Sequence, residues 1–155
     1  MADTSDVDDA LVAFLAGDAA LSALMPDGVW IGISAPHLSR FVIVSLITSE
    51  DVDEFADRAF ERLTYQVKAV ALDTSFTRVK QAAYRIDQLL ADAAATFAVP
   101  GFATLSVRRV EHFRYPERDP ATDVLWQHGG GDYEFWLQPT AAPMTSGGID
   151  NANSR

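Results

Sequence analysis

His37, His112 and His128 are the side chains best able to serve as metal ligands or general bases, yet their spacing suits neither task. No two stand at the i, i+4 separation that puts two imidazoles on one helix face, and no carboxylate joins them in a metal-binding motif. They read as loop or strand-surface histidines. Gly129-Gly130-Gly131 could cradle a phosphate, but no Gly-Lys-Ser or Gly-Lys-Thr ending follows and no helix opens behind it, so the run predicts a bulge or a flexible turn. Ser34, Ser39, Ser45 and Ser106 lie in no Gly-x-Ser-x-Gly elbow. Asp51, Asp53, Glu54 and Asp57 are dense enough to ligate calcium, but the loop of about 12 residues with its central Gly and terminal Glu is missing. With Glu50 they predict an acid-rich connection facing solvent or a partner. Arg108, Arg109, Arg114 and Arg118, with His112, form the single basic concentration. Two readings of it stay open: complement to the acidic loop of a neighbouring copy, or local pairing within one subunit.

No cysteine occurs, so disulfides, thiolate catalysis and sulfur-ligated zinc are excluded, and no cofactor or metal is called for. The 155 residues suit one domain, expected over residues 1–138. Residues 139–155, rich in Ala, Pro, Ser, Gly and Asn, are expected to form a disordered tail. Twenty-two acids against twelve bases give a formal charge of −10, which disfavours a grip on nucleic acid but suits a surface past which DNA moves. The N-terminus is acidic where a signal peptide is basic, and no apolar run reaches the ~18 residues that span a bilayer. The protein is therefore expected in cytoplasm.

The elements that must carry these groups follow from periodicity. Val7, Ala10, Leu11, Phe14 and Leu15 share one face of a helix that Gly17 ends, and Asp18 to Met25 adds a short helical turn. Val29-Trp30-Ile31 is a short apolar piece before a loop over 32–39. Arg40 to Glu50 is a β-branched strand placed centrally in a sheet. Leu63, Tyr65, Val67, Ala69 and Ala71 alternate with Arg62, Thr64, Gln66 and Lys68, which predicts a strand with one wet or partner-facing side. Asp73-Thr74-Ser75 caps a helix whose stripe is Phe76, Val79, Ala83, Ile86, Leu90, Ala94 and Phe97, closed by Pro100-Gly101. Thr104 to Tyr115 is extended, with a phase change between Val107 and Val110 that predicts a bulge. A turn at 117–120 leads to a last extended segment from Val124 to Leu137, interrupted at the three glycines. The order predicts an α+β fold: a single antiparallel (mixed) sheet, a long helix packed on one face, and an N-terminal helix.

In this arrangement the chain resembles the tail-completion, or tail-terminator, proteins of long-tailed bacteriophages and gene-transfer particles. The residues that carry the resemblance are Ala10 to Leu24 with Asp27-Gly28-Val29-Trp30, then Phe41-Val42-Ile43-Val44 and Tyr65 to Ala71. Ala82, Ile86-Asp87-Gln88-Leu89-Leu90 and Asp132 to Trp136 complete the set. It spans nearly all of Asp6 to Gln138; a long connection from Arg114 to Gly131 and the tail depart from it. The resemblance implies a virion structural protein, not an enzyme, often a subunit of a hexameric ring. Such a ring caps the tail tube, ends its polymerisation and offers the docking surface for the head connector, with DNA able to pass through. It implies assembly in the host cytoplasm, with tube protein and connector as partners and no membrane. Glu50 to Asp57 and the face of Arg62, Thr64, Gln66 and Lys68 become the expected ring or tube contacts, with Arg108, Arg109 and Arg114 as basic counterparts. The alternatives are a neck or head-completion protein and, outside virions, a small ligand-binding protein or enzyme built from dispersed His and Asp.

Overall fold

A computed structural model describes residues 4–32, 37–54 and 57–140. The expected disordered tail beyond residue 140, the start of the chain and Ser34 lie outside the described residues. Two helices open the chain, α1 (Thr4–Ala16) and α2 (Ala19–Leu24), followed by strands β1 (Val29–Ile31), β2 (Arg40–Glu54) and β3 (Asp57–Leu72). Helix α3 (Thr77–Ala91), a 3-10 turn at Ala93–Ala95, and strands β4 (Phe102–Arg118) and β5 (Leu125–Pro139) complete it. The five strands form one sheet in the order β1-β2-β3-β5-β4, so β3, not β2, is its middle strand. β1 runs parallel to β2 and all other pairs are antiparallel, which makes the sheet mixed.

Period-two alternation in β3 is read out directly. Leu63, Tyr65, Val67, Ala69 and Ala71 are fully buried, and their register partners on β5, Tyr133 and Phe135 among them, face the same way. Helices cover that face. Tyr65 donates its hydroxyl to Asp8 of α1, and Tyr133 donates to Asp87 of α3 at 3.1 Å, so α1 and α3 lie on the same side of the sheet. Burial drives both phenols to hold their protons well above the ordinary tyrosine range, with the neighbouring carboxylates adding to the effect. Val7, Leu11 and Leu15 from α1 and Ala82, Ile86 and Leu90 from α3 enter one cluster with Tyr65, Phe97 and Phe135. Asp18 ties the helices together: its carboxylate caps α2 through Leu21 N–H at 2.8 Å and receives Arg85 of α3 at 2.6 and 2.9 Å. That guanidinium, with the Leu21 bond, holds the Asp18 carboxyl below the usual range against the opposing effect of desolvation. Asp27 does similar work at the start of the sheet. Its carboxylate accepts the Ser39 and Arg40 N–H groups at 2.8 and 2.9 Å, and Gly28, at φ +94°, lets the chain turn into β1.

Several expectations are corrected. The connection expected over Glu50 to Asp57 is strand almost throughout: β2 and β3 stay paired to Glu54 opposite Asp57. Alternation fails there because the ribbon extends past the core, so neither face selects apolar residues. The glycine run does not interrupt the last strand. β5 passes straight through Gly129, Gly130 and Gly131, and the long connection expected from Arg114 to Gly131 shortens to residues 119–124. The helix stripe stops at Leu90, since α3 ends at Ala91 and the tighter turn that follows buries Ala93 and exposes Ala94. Within α3 it is Ala82, not Ala83, that is buried. The expected bulge is present: register shifts between Arg109 and Glu111, leaving Val110 as the extra residue, 48% exposed.

Candidate interaction surfaces

Among the described residues, no helix lies over the second face of the sheet. From β3 it presents Arg62, Thr64, Gln66 and Lys68, all half-buried, and from β5 their partners Trp136, Glu134, Asp132 and Gly130. Ion pairs and rings organise it at one end. The Arg62 guanidinium pairs with Glu50 across the β2–β3 ladder and lies 5.7 Å from the Trp136 ring, which Phe60 meets edge-on. Trp136 Nε1 donates to Glu134 at 2.9 Å and Arg108 reaches the same carboxylate at 2.8 Å, so Glu134 titrates below the usual range. In the middle, Gln66 Nε2 donates to Asp132 at 3.3 Å.

At the other end the face is aromatic. Tyr115 stacks on His128 with centroids 4.6 Å apart, Lys68 Nζ reaches the Tyr115 hydroxyl at 3.3 Å, and Phe41 meets Trp126 edge-on. The turn after β4 overhangs this end and leaves a groove of about 790 Å³ lined by Leu38, Phe41, Ile43, Val70, Trp126 and His128 among others. His37 and His112 are exposed as expected, but His128 is not a surface histidine: only 6% of it is accessible. The reason is tertiary, since Tyr115 of the neighbouring strand covers its ring.

Burial lowers the proton affinity of His128, Lys68 adds to this, and Glu117, with its Oε2 2.9 Å from Nε2, opposes it. The folded chain thus binds that proton less tightly than the unfolded chain. Its contribution to stability is whole above the ordinary histidine pKa of about 6.5 and declines as pH falls below it. His128→Phe, which keeps a ring against Tyr115, should flatten the fall of melting temperature between about pH 7 and 5. Equal slopes for the two proteins would show that His128 titrates alike in both states.

The remaining expected residues divide by face. Glu50 and Asp51 stand on β2 opposite Arg62 and Glu61, the last β3 residues paired with β5, and Asp53, Glu54 and Asp57 stand on the β2–β3 ribbon beyond that point. Arg108 is on the open face. Arg109, shifted by the bulge, turns to the helix side and pairs with Asp87 at 3.2 Å. Arg114 is also on the helix side, its guanidinium 5.1 Å from the Phe76 ring. The expected basic strand is therefore split between two surfaces, with Arg62, Arg108 and Arg109 already paired inside the subunit. Exposed pairs of this kind contribute about 0–1 kcal/mol each, so they leave the arginines open to exchange partners.

Sequence reasoning missed Lys80 and Tyr84, which come up from the outer side of α3 to line a cleft with Arg109, His112 and Arg114. The signal was there, since both fall between the buried positions of an amphipathic helix. It also missed Phe60 and Trp136, whose position opposite the buried Tyr133 and Phe135 follows from strand alternation.

A family model described as tail completion protein gp17 matches residues 9–128 of the chain. Among solved structures, a chain from the virion of a native gene transfer agent particle is 16% identical, with 88% of this chain and 95% of that one covered and a TM-score of 0.59. A second solved chain, which carries no functional description, is 15% identical, with 90% and 99% covered and a TM-score of 0.58. At such identities the likeness is one of fold. No curated protein matches the sequence.

Proposed function

The chain belongs to the gp17 tail-completion protein family and is a structural protein of the phage-type virion, and from that premise we propose that it caps the tail tube as one subunit of a ring. In this reading the ring ends tube polymerisation and offers the surface on which the head connector docks. It works by contact and catalyses nothing. The observation that carries the reading, beyond family membership, is the two-stranded acidic ribbon. β2 and β3 continue as a pair past Glu61, where β3 stops pairing with β5, and a two-stranded ribbon by itself is marginal in water. Such an extension is stabilised by what it touches, and its acids Asp53, Glu54 and Asp57, with Glu50 and Asp51 at its base, define the chemistry of that contact. The uncovered face of Arg62, Thr64, Gln66 and Lys68 supplies a second, broader surface for the tube or the connector. A formal charge of −10 lets duplex DNA pass the ring without adhering.

The test is mass in solution by light scattering, for the protein alone and with tube protein from the same particle. Six copies of a 16.9 kDa chain give a ring of about 100 kDa, formed freely or on tube ends. A monomer that ignores tube protein would remove the capping role, and binding to a head-side connector instead would mark a neck protein.

A further inference from the structure

We infer that the cleft between α3 and β4 receives the acidic β2–β3 ribbon of a neighbouring copy, an inference that rests on the ring reading above and names its contact. The cleft encloses about 460 Å³ and is lined by Lys80, Tyr84, Asp87, Arg109, His112 and Arg114 among others. Three permanent cations face one carboxylate there, in a chain whose formal charge is −10. The single carboxylate is already committed: Asp87 accepts from Tyr133 at 3.1 Å and pairs with Arg109 at 3.2 Å. Among the described residues, Lys80 and Arg114 have no carboxylate partner; Arg114 lies only over the Phe76 ring. Tyr84, 66% exposed at the rim, adds an aromatic surface with a hydroxyl. The cleft is thus a positive, partly aromatic concavity with two unneutralised cations.

The ribbon is its complement. From Glu50 to Glu61 the chain carries Glu50, Asp51, Asp53, Glu54, Asp57 and Glu61 against Arg58 alone. Glu50 at its base is engaged by Arg62, while Asp53 and Glu54 are exposed nearer the tip. The part beyond the last β3–β5 pair is three residue pairs, or roughly 10 Å, long enough to enter a cleft of this size. Strand order then settles the kind of contact. With β1-β2-β3-β5-β4, the ribbon is an extension of β2 and the middle strand β3, while the cleft lies between α3 and the edge strand β4, so the two are different patches. A contact between different patches on two copies is head-to-tail, and repetition of it closes into a ring when the rotation permits. Arg108 takes no part, since it lies on the opposite face with Glu134. Nucleic-acid phosphate is the competing ligand for a basic cleft, but the acidic remainder of the surface repels it.

The experiment uses two full-length variants under the conditions in which the wild-type protein assembles, with tube protein if it is required. One reverses the ribbon, Asp53→Lys with Glu54→Lys; the other reverses the cleft, Lys80→Glu with Arg114→Glu. All four residues are exposed, so circular dichroism melts should match wild type and separate misfolding from lost contact. Each variant alone should stay monomeric, with apparent association at least about tenfold weaker, because like charges then meet. An equimolar mixture should regain the wild-type mass, since reversed ribbon meets reversed cleft and native meets native around an alternating ring. Assembly of either variant alone, or a mixture that stays monomeric, would overturn the ribbon-to-cleft contact while leaving the ring intact. A wild-type protein that never assembles would remove the ring reading and this contact together. Retention of duplex DNA by wild type but not by the cleft variant would reassign the cleft to phosphate.

Discussion

Gly130→Ala should destabilise the protein by about 3 kcal/mol or more, at the upper end of what overpacking does in a core. A Cβ on Gly130 would lie 2.0 Å from the carbonyl oxygen of Val67 and 2.8 Å from the Cα of Lys68. Both are backbone atoms of β3, so no side-chain rotation relieves the clash. The strands must separate, and they meet at the middle of the sheet, where Lys68 and Gly130 are register partners. None of the three consecutive glycines has a positive φ, so the requirement is one of space and not of backbone conformation. Gly129 and Gly131 belong to the same device: a Cβ would come 2.5 Å from a methyl of Val79 at the first and 2.7 Å from the Glu111 carbonyl at the second. Val79 can shift at least in part, so Gly129→Ala should cost less than Gly130→Ala. Urea unfolding of the two variants checks the ranking, and a Gly130→Ala protein within about 1 kcal/mol of wild type would contradict it.

Phe135→Ala should remove about 3–5 kcal/mol, because the ring is fully buried and its site cannot collapse. Tyr65 meets the ring edge-on at 5.6 Å and Phe97 lies tilted against it at 5.4 Å, so its loss empties the junction of three elements: β3, β5 and the segment after α3. Phe97 also contacts Phe14 of α1 at 5.6 Å, and the cavity therefore loosens the helix layer as well as the sheet. A lower denaturation midpoint with an unchanged slope would identify the effect as lost packing. An assembled ring should partly conceal it, since contacts between copies add to the stability of each subunit. The variant should accordingly be measured as a monomer.

The two substitutions show where reading the chain by itself succeeds and where it stops. Phe135 was identifiable as a core residue because it alternates with Glu134 and Trp136, and alternation is a property of neighbours in sequence. Gly130 was misread as part of a turn because glycine has no side chain to alternate. Its meaning lies in β3, sixty-two positions away, whose backbone approaches too closely for any other residue. His128 was misplaced for a related reason: the ring that buries it belongs to Tyr115, brought alongside by the antiparallel pairing of β4 with β5.

Charge divides in the same way. The acid excess and its concentration between residues 50 and 57 are plain in the sequence, and so is the cluster of arginines from 108 to 118. Which charges neutralise one another is not. One bulge at Val110 sends Arg108 to Glu134 on the open face and Arg109 to Asp87 under the helix, and only that division assembles Lys80, Arg109 and Arg114 around one cleft. The periodic elements, their order and the α+β class were determined by the sequence itself, because hydrophobic periods of two and 3.6 residues act locally along the chain. The ribbon beyond the sheet, the glycine crossing and the pairing of charges were decided only by the tertiary structure, because each depends on strand register between segments far apart in sequence.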